Sequence, residues 1–143
     1  MPIRKGHGEW HGDLTKGSGS LGTESGTLRN VAYSFSSRFE SGKGTNPEEL
    51  IAAAHAACYS MALSAALSGA GFKVNSIRTE DQVHVEKQGA GFAITRLDID
   101  TEASVEGIDE ATFQKHAEET KKGCPVSKAL AIPTVVLNAR LKK

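Results

Sequence analysis

Between Leu50 and Leu67 almost every residue is apolar or small, whichever side of a helix it would occupy. The flanks carry helix signals. Asn46 is a good N-cap, Pro47 suits the first helical position, and Glu48 and Glu49 favour the positive end of the helix dipole. Gly69 and Gly71 supply the stop. The pattern predicts a helix from Pro47 to about Ser68. A helix that is apolar all round is buried in the centre of something larger than one sheet face can cover. Its alanines allow a neighbour to approach closely.

Elsewhere the pattern alternates. Trp10 to Leu14, Ser20 to Leu28 and Val31 to Phe39 read as strands, with Lys16-Gly17-Ser18-Gly19 turning the chain between the first two. From Ser76 to Lys87, Val83 and Val85 face one way and Gln82, His84 and Glu86 the other. Gly89-Ala90-Gly91 is a turn, and Phe92 to Val105 a long strand. Its apolar parity switches between Phe92/Ile94 and Leu97/Ile99, which predicts a bulge or a change of covered face. Asp109 caps a helix from Glu110 to about Lys121, which Gly123 stops. A short helix from Pro125 to about Ala131 follows. Thr134 to Leu141 is a strand with Val135, Leu137, Ala139 and Leu141 on one face. The order βββ-α-ββ-αα-β is an α+β pattern rather than a parallel βαβ series.

The 143 residues suit a single domain, 1–143, able to hold a core without a disulfide or metal. Lys plus Arg equals Asp plus Glu, 17 each. That balance argues against a nucleic-acid binder and gives no attraction to an anionic membrane. It also leaves self-association unopposed. No stretch reads as approaching the ~20 apolar residues of a membrane span. Met1 to Trp10 lacks the apolar run of a secretory signal. A cytoplasmic location is expected, where thiols stay reduced and a cysteine pair is either inert or catalytic.

Cys58 lies mid-helix, and its plain reading is a small core residue. A desolvated thiol is a poor nucleophile unless a nearby cation stabilises its thiolate. Cys124 falls between Gly123 and Pro125, at the N-cap of the short helix. Unpaired N–H groups and the positive dipole end favour thiolate there, and Lys121 and Lys122 add charge. A merely structural cap is the other reading. The cysteines are solitary and far apart, unlike the paired ligands of a zinc site, so no metal is expected. His55 reads as a satisfied interior histidine. There is no nucleophile elbow and no P-loop. Arg38 reads as the end of a strand, a surface arginine paired with Glu40.

Gly44-Thr45-Asn46-Pro47-Glu48-Glu49-Leu50-Ile51-Ala52-Ala53-Ala54-His55-Ala56-Ala57-Cys58 resembles the signature of the OsmC/Ohr family. Gly123-Cys124-Pro125-Val126-Ser127 matches its second signature. Arg38-Phe39-Glu40 and the Trp10 region are similar to the OsmC branch. The resemblance implies an OsmC-like α+β fold, with antiparallel sheets wrapped around central helices in an intertwined homodimer. It implies a peroxidase acting on organic hydroperoxides without a cofactor, and electrons arriving from a dithiol, lipoyl-type donors being associated with the Ohr branch. It gives peroxide attack to Cys58, resolution to Cys124, thiolate activation to Arg38, and orientation of that arginine to Glu48. The Ohr branch lacks a histidine at the His55 position.

On this reading Cys58 becomes a sulfenic acid, Cys124 condenses with it to a disulfide, and an external dithiol resets the pair. A redox-sensing or stress-induced binding protein could use the same cysteines as a switch. Helix geometry adds an expectation. Ten residues separate Glu48 from Cys58, about 15 Å along an axis and some 80° around it. One Arg38 then serves both only if the helix breaks near Pro47 or if Cys58 belongs to a partner subunit. The intact cap signals favour the partner.

Overall fold

Strong cap chemistry and long alternating runs set the architecture of this chain, whose computed structural model describes residues 1–142. Two compact units result, Met1–Leu50 and Ile51–Lys143.

The first unit holds a three-stranded antiparallel sheet, β1 (Gly6–His11), β2 (Ser18–Thr23) and β3 (Val31–Tyr33), in that spatial order. Gly6 pairs with Thr23, His11 with Ser18, and Gly19 with Tyr33. The expected third strand, Val31 to Phe39, is cut short. Ser34 caps a helix, α1 (Phe35–Phe39), through a reciprocal box in which Ser34 and Ser37 exchange side-chain and backbone hydrogen bonds. Alternating Val31, Tyr33 and Phe35 imitated a strand; two serines three apart decided for a helix. Among the described residues, none of the buried apolar side chains belongs to this unit.

Helix α2 (Pro47–Gly69) begins in the first unit and runs unbroken into the second. Asn46 caps it, accepting from the Glu49 N–H at 2.7 Å. His55, Tyr59, Leu63 and Leu67, four residues apart, form its buried seam. Ala53, Ala54, Ala57 and Ala65 are exposed, and Met61 is 78% exposed. An apolar face of the helix is therefore uncovered in the single chain. By length and composition α2 would also suffice to cross a membrane, which corrects the expectation that no stretch does. Its interior alanines and serines hid it from a search for strongly apolar runs. Its buried seam makes it the core helix of the second unit.

That unit pairs β4 (Lys73–Gln88) with β5 (Gly91–Glu106) as an antiparallel hairpin. Gly89, at φ 58°, takes the first central position of the two-residue turn, where a type II′ turn calls for glycine. The expected parity switch is a bulge at Thr95. His84 faces Arg96 and Val85 faces Ile94, so Thr95 has no opposite number. Leu97, Ile99, Thr101 and Ala103 then alternate into the core. Asp109 caps α3 (Glu110–Gly123) through the Thr112 N–H, and α4 (Pro125–Leu130) follows after one residue. The last strand, β6 (Thr134–Leu141), pairs parallel to β5. The sheet is thus mixed, not purely antiparallel, because α3 and α4 form a connection long enough to carry the chain back to the start of β5.

Tyr59, Leu63 and Leu67 meet Leu97, Ile99, Phe113, Ala117 and Ala139 in one cluster. The Tyr59 hydroxyl donates to the Ala117 carbonyl at 2.8 Å. Leu63 is fully buried there. Leu63→Ala is expected to cost about 2–5 kcal/mol, read as a lower urea midpoint.

Candidate active site

The two sequence motifs meet in the second unit. Cys58, mid-helix on α2, is half-buried; Cys124 is fully buried. Both are free thiols, with their Sγ atoms 2.7 Å apart across 66 residues of chain. Cys124 ends α3 and sits at the N-cap of α4, with Pro125 at the first helical position. Its sulfur makes no regular capping hydrogen bond. Ser127 and Val126, in the first turn of α4, nevertheless favour negative charge on it.

The two sulfurs are pushed in opposite directions. Burial raises the Cys58 thiol above its ordinary value, and the Cys124 hydrogen bond and charge raise it further against the opposing Val126 N–H. Burial also raises Cys124, but the Cys58 thiol, Ser127 and Val126 together outweigh it and lower that group. Of the two sulfurs, Cys124 is therefore the one on which negative charge is favoured. Replacing Cys124 removes a negative neighbour from Cys58. The pH midpoint of Cys58 alkylation is expected to fall in Cys124→Ser relative to the parent, and an unmoved midpoint would show that burial alone sets it.

In the first unit, Arg38 stands in the last turn of α1, not at the end of a strand. Its partner is Glu48, the residue the resemblance names, and not Glu40 as the plain reading of the residues has it. Nε and Nη2 both lie 2.9 Å from Glu48 Oε1, with Oε2 at 3.2 Å from Nε. The Glu48 side chain is 7% exposed, so the ion pair compensates a nearly buried carboxylate. The linker to α2 is tied down. Ser37 donates to the Thr45 carbonyl at 2.9 Å, and Asn46 Nδ2 to the Ser37 carbonyl at 2.8 Å. Gly44 makes the bend at φ 108°. The Arg38 guanidinium also lies 4.8 Å from the centre of the Phe39 ring. A cleft of about 220 Å³ is lined by Arg38 with Trp10, Leu14, Tyr33, Phe35 and Phe39.

The structure thus brings Cys58 to Cys124 in one unit and Arg38 to Glu48 in the other. Helix α2 does not break near Pro47. His55 has both ring nitrogens engaged. Nδ1 meets the Asp81 carboxylate on β4, and Nε2 lies 2.5 Å from Ser127 Oγ on α4. Sequence reasoning missed Asp81 and Ser127. A signal existed for Asp81, because it shares the parity of Val83 and Val85 and so points to their face. Among the described residues no group of His, Cys, Asp and Glu could hold a metal ion.

The family model described as OsmC-like protein matches residues 40–138, a stretch containing both cysteines and Glu48. The chain belongs to the OsmC-like protein family. The peroxiredoxin OsmC of Escherichia coli K12 is 50% identical over 139 residues, covering 97% of this chain and 96% of that protein. The organic hydroperoxide resistance protein-like 2 of Staphylococcus epidermidis is 32% identical over 94 residues, 63% of each chain. In fold, this OsmC-like chain matches the crystal structure of the organic hydroperoxide resistance protein OhrB of Bacillus subtilis. The TM-score is 0.66 at 23% identity, over 96% of this chain and 98% of that one. The shared fold is α+β.

Proposed function

We propose that this chain, a cysteine-based peroxidase of the OsmC-like family, reduces organic hydroperoxides to alcohols through Cys58 and Cys124. The carrying observation is the pair of free thiols 2.7 Å apart. The Cys58 thiolate attacks the distal oxygen of the peroxide. The O–O bond breaks, the alkoxide leaves and takes a proton to become the alcohol, and Cys58 becomes a sulfenic acid. The Cys124 thiolate then attacks the Cys58 sulfur. Hydroxide leaves as water, and the disulfide forms. An external dithiol, of the lipoyl type, reduces it by exchange and is itself oxidised.

Cys58 is assigned to attack because it is the more accessible sulfur, while Cys124 is sealed. The influences on the Cys58 thiol come from its burial, Cys124 and Val126, and on balance they favour the proton. A cation must supply what they do not. Arg38, oriented by Glu48, is suited to that task, and it can also stabilise charge on the peroxide oxygens. The aromatic cleft beside Arg38 suits the apolar substituent of an organic peroxide.

An unbroken α2 keeps Glu48 about 15 Å from Cys58 of the same chain along the axis. The Arg38–Glu48 pair of one chain is therefore proposed to serve the Cys58 of a partner in a homodimer. Two observations support the dimer: the uncovered apolar face of α2 around Met61, and a first unit that buries no large apolar side chain of its own among the described residues. A reducing, cytoplasmic location suits a cysteine pair that must be returned to its thiols after each turnover.

The test is steady-state consumption of an organic hydroperoxide with excess dithiol. Sustained turnover, with many equivalents reduced per chain, is expected. A single equivalent followed by arrest would instead indicate a redox switch.

A further inference from the structure

Helix α4 carries Cys124 at its N-cap, yet little in it is built to stay in place. At six residues, Pro125–Leu130, it is too short to hold as an isolated helix. Among the described residues none of its side chains is buried. Apolar burial, the usual anchor of a surface helix, therefore contributes little here. Among the described residues, Ser127 is the only member of α4 whose side chain hydrogen-bonds to another element, its Oγ lying 2.5 Å from His55 Nε2 on α2. The imidazole is held toward it from two sides. Nδ1 meets the Asp81 carboxylate on β4, and the Tyr59 ring stacks on it at 6.2 Å. The His55 and Asp81 side chains are both fully buried.

The spacing ties this contact to the reacting pair. His55 stands three residues before Cys58 on α2, and Ser127 three residues after Cys124. Two rungs thus join α2 to α4: His55 to Ser127 at 2.5 Å, and Cys58 Sγ to Cys124 Sγ at 2.7 Å. At a rise of about 1.5 Å per residue they lie about 4.5 Å apart along α2, on neighbouring turns of one face. The backbone of α4 links the rungs on the other side. The Lys128 N–H donates to the Cys124 carbonyl and the Ala131 N–H to the Ser127 carbonyl, each at 3.0 Å. Where Ser127 is held, Cys124 is held one turn away.

We propose that Asp81, His55 and Ser127 form a clamp that docks α4 on α2 and so holds Cys124 against Cys58 for disulfide closure. All three are positioning residues, acting through the placement of Cys124. The inference rests on the peroxidase reading for its place in the cycle, and on the two rungs for its existence. In the step it serves, the Cys124 thiolate attacks the Cys58 sulfenic sulfur. The S–S bond forms, the S–O bond breaks, and the hydroxide that leaves is protonated to water. Only chains with α4 docked can take that step, so its rate and equilibrium follow the docked fraction.

The buried carboxylate has a use on this reading that stability alone does not give it. Asp81 Oδ1 is buried without a hydrogen-bond partner among the described residues, a cost that an apolar side chain at this place on β4 would avoid. What Asp81 supplies is direction. By engaging Nδ1 it leaves Nε2 as the ring nitrogen that faces α4, and it fixes the plane in which that nitrogen points. The clamp is needed while the sulfurs are free thiols, with no bond between them to keep α4 in place. Once the disulfide has formed, the covalent bond does the same work and the clamp is redundant. Its removal should therefore be felt in the reduced chain and not in the oxidised one.

The experiment compares the full chain with Ser127→Ala. In buffers of reduced and oxidised dithiothreitol, the Cys58–Cys124 disulfide of Ser127→Ala is expected to form with an equilibrium constant about tenfold lower, the worth of one good hydrogen bond and about 30 mV in potential. Closure is timed separately. Dithionitrobenzoate places a mixed disulfide on the accessible Cys58, and a second thionitrobenzoate is released when Cys124 attacks it; that release should be about tenfold slower. With one equivalent of cumene hydroperoxide, dimedone should trap a longer-lived Cys58 sulfenic acid. Amide hydrogen exchange over residues 125–131 should quicken in reduced Ser127→Ala and return to the parent's rate in its disulfide form. His55→Gln should resemble Ser127→Ala, and the double variant should be no slower than the slower single one, because both cut the same line. If His55→Gln does not fold, Ser127→Ala decides alone. A parent potential and parent closure rate in Ser127→Ala, or exchange quickened equally in both redox forms, would overturn the clamp. The dithiothreitol and mixed-disulfide measurements use no peroxide. A wild-type chain that closes there but leaves cumene hydroperoxide intact therefore counts against the peroxidase reading, and the clamp is still decided.

Discussion

Cys58→Ser is expected to lower peroxide reduction to that of a protein-free control, while Cys124→Ser still reduces one equivalent per chain and then stops. Oxygen transfer needs one nucleophilic sulfur that the peroxide can reach, and Cys58 is the accessible member of the pair. Disulfide closure needs both. The electrostatics of the resting pair press the other way, because the thiolate is favoured at Cys124. Access and activation are therefore supplied by different residues, and the mutant pair separates them. Quantitative peroxide titration followed by mass spectrometry gives the stoichiometry. A folded Cys124→Ser chain that takes up no oxygen at Cys58, beside a Cys58→Ser chain that does, would reverse the assignment.

The second large effect concerns assembly. Arg38→Ala alone is expected to slow attack by about 10²–10³-fold, as when one preorganised donor to developing charge is lost. Co-expressing an Arg38→Ala chain with a Cys58→Ser chain, each with its own tag, yields a heterodimer in which two crippled chains are joined. If Arg38 serves the partner's sulfur, one of its two sites keeps a native arginine and a native cysteine. Activity should recover to about half of the native value per dimer, a proportion that follows from two sites acting independently. If Arg38 serves its own chain, no site is complete and the heterodimer stays as slow as Arg38→Ala. A native protein that is a fully active monomer would also remove the proposal.

The helix α2 was legible because Asn46, Pro47, Glu48 and Glu49 agree with the apolar run behind them, and local signals of that kind need no tertiary information. The bulge at Thr95 could be read from parity alone. Helix α1 could not, since Val31, Tyr33 and Phe35 alternate like a strand and only the exchange between Ser34 and Ser37 reverses the reading. The same error misplaced Arg38 at a strand end, so that its pairing with Glu48 followed from the family resemblance and not from the residue pattern. Both cysteines could be singled out, Cys124 by its position between two helices. Their meeting could not be deduced from spacing, because 66 residues and a mixed sheet intervene. Asp81 was passed over as an ordinary polar residue in an alternating strand, although its parity pointed inward. A buried carboxylate is visible only when its partner, 26 residues earlier, is known to face it.

The parallel pairing of β6 with β5 has a consequence for the newly made chain. The hairpin β4–β5 joins neighbours in sequence and can form early, but β6 can dock only after α3 and α4 have been made and turned back. Cys124 lies in that returning segment, between the helices that must be in place first. Until then its sulfur is a distant coil residue, and the entropy of closing so long a loop keeps it from Cys58. An oxidant met during synthesis would thus find a lone Cys58 without its resolving partner. Intramolecular bridging between the two cysteines is in this way a report of completed folding, and a chain truncated before Thr134 should lack it.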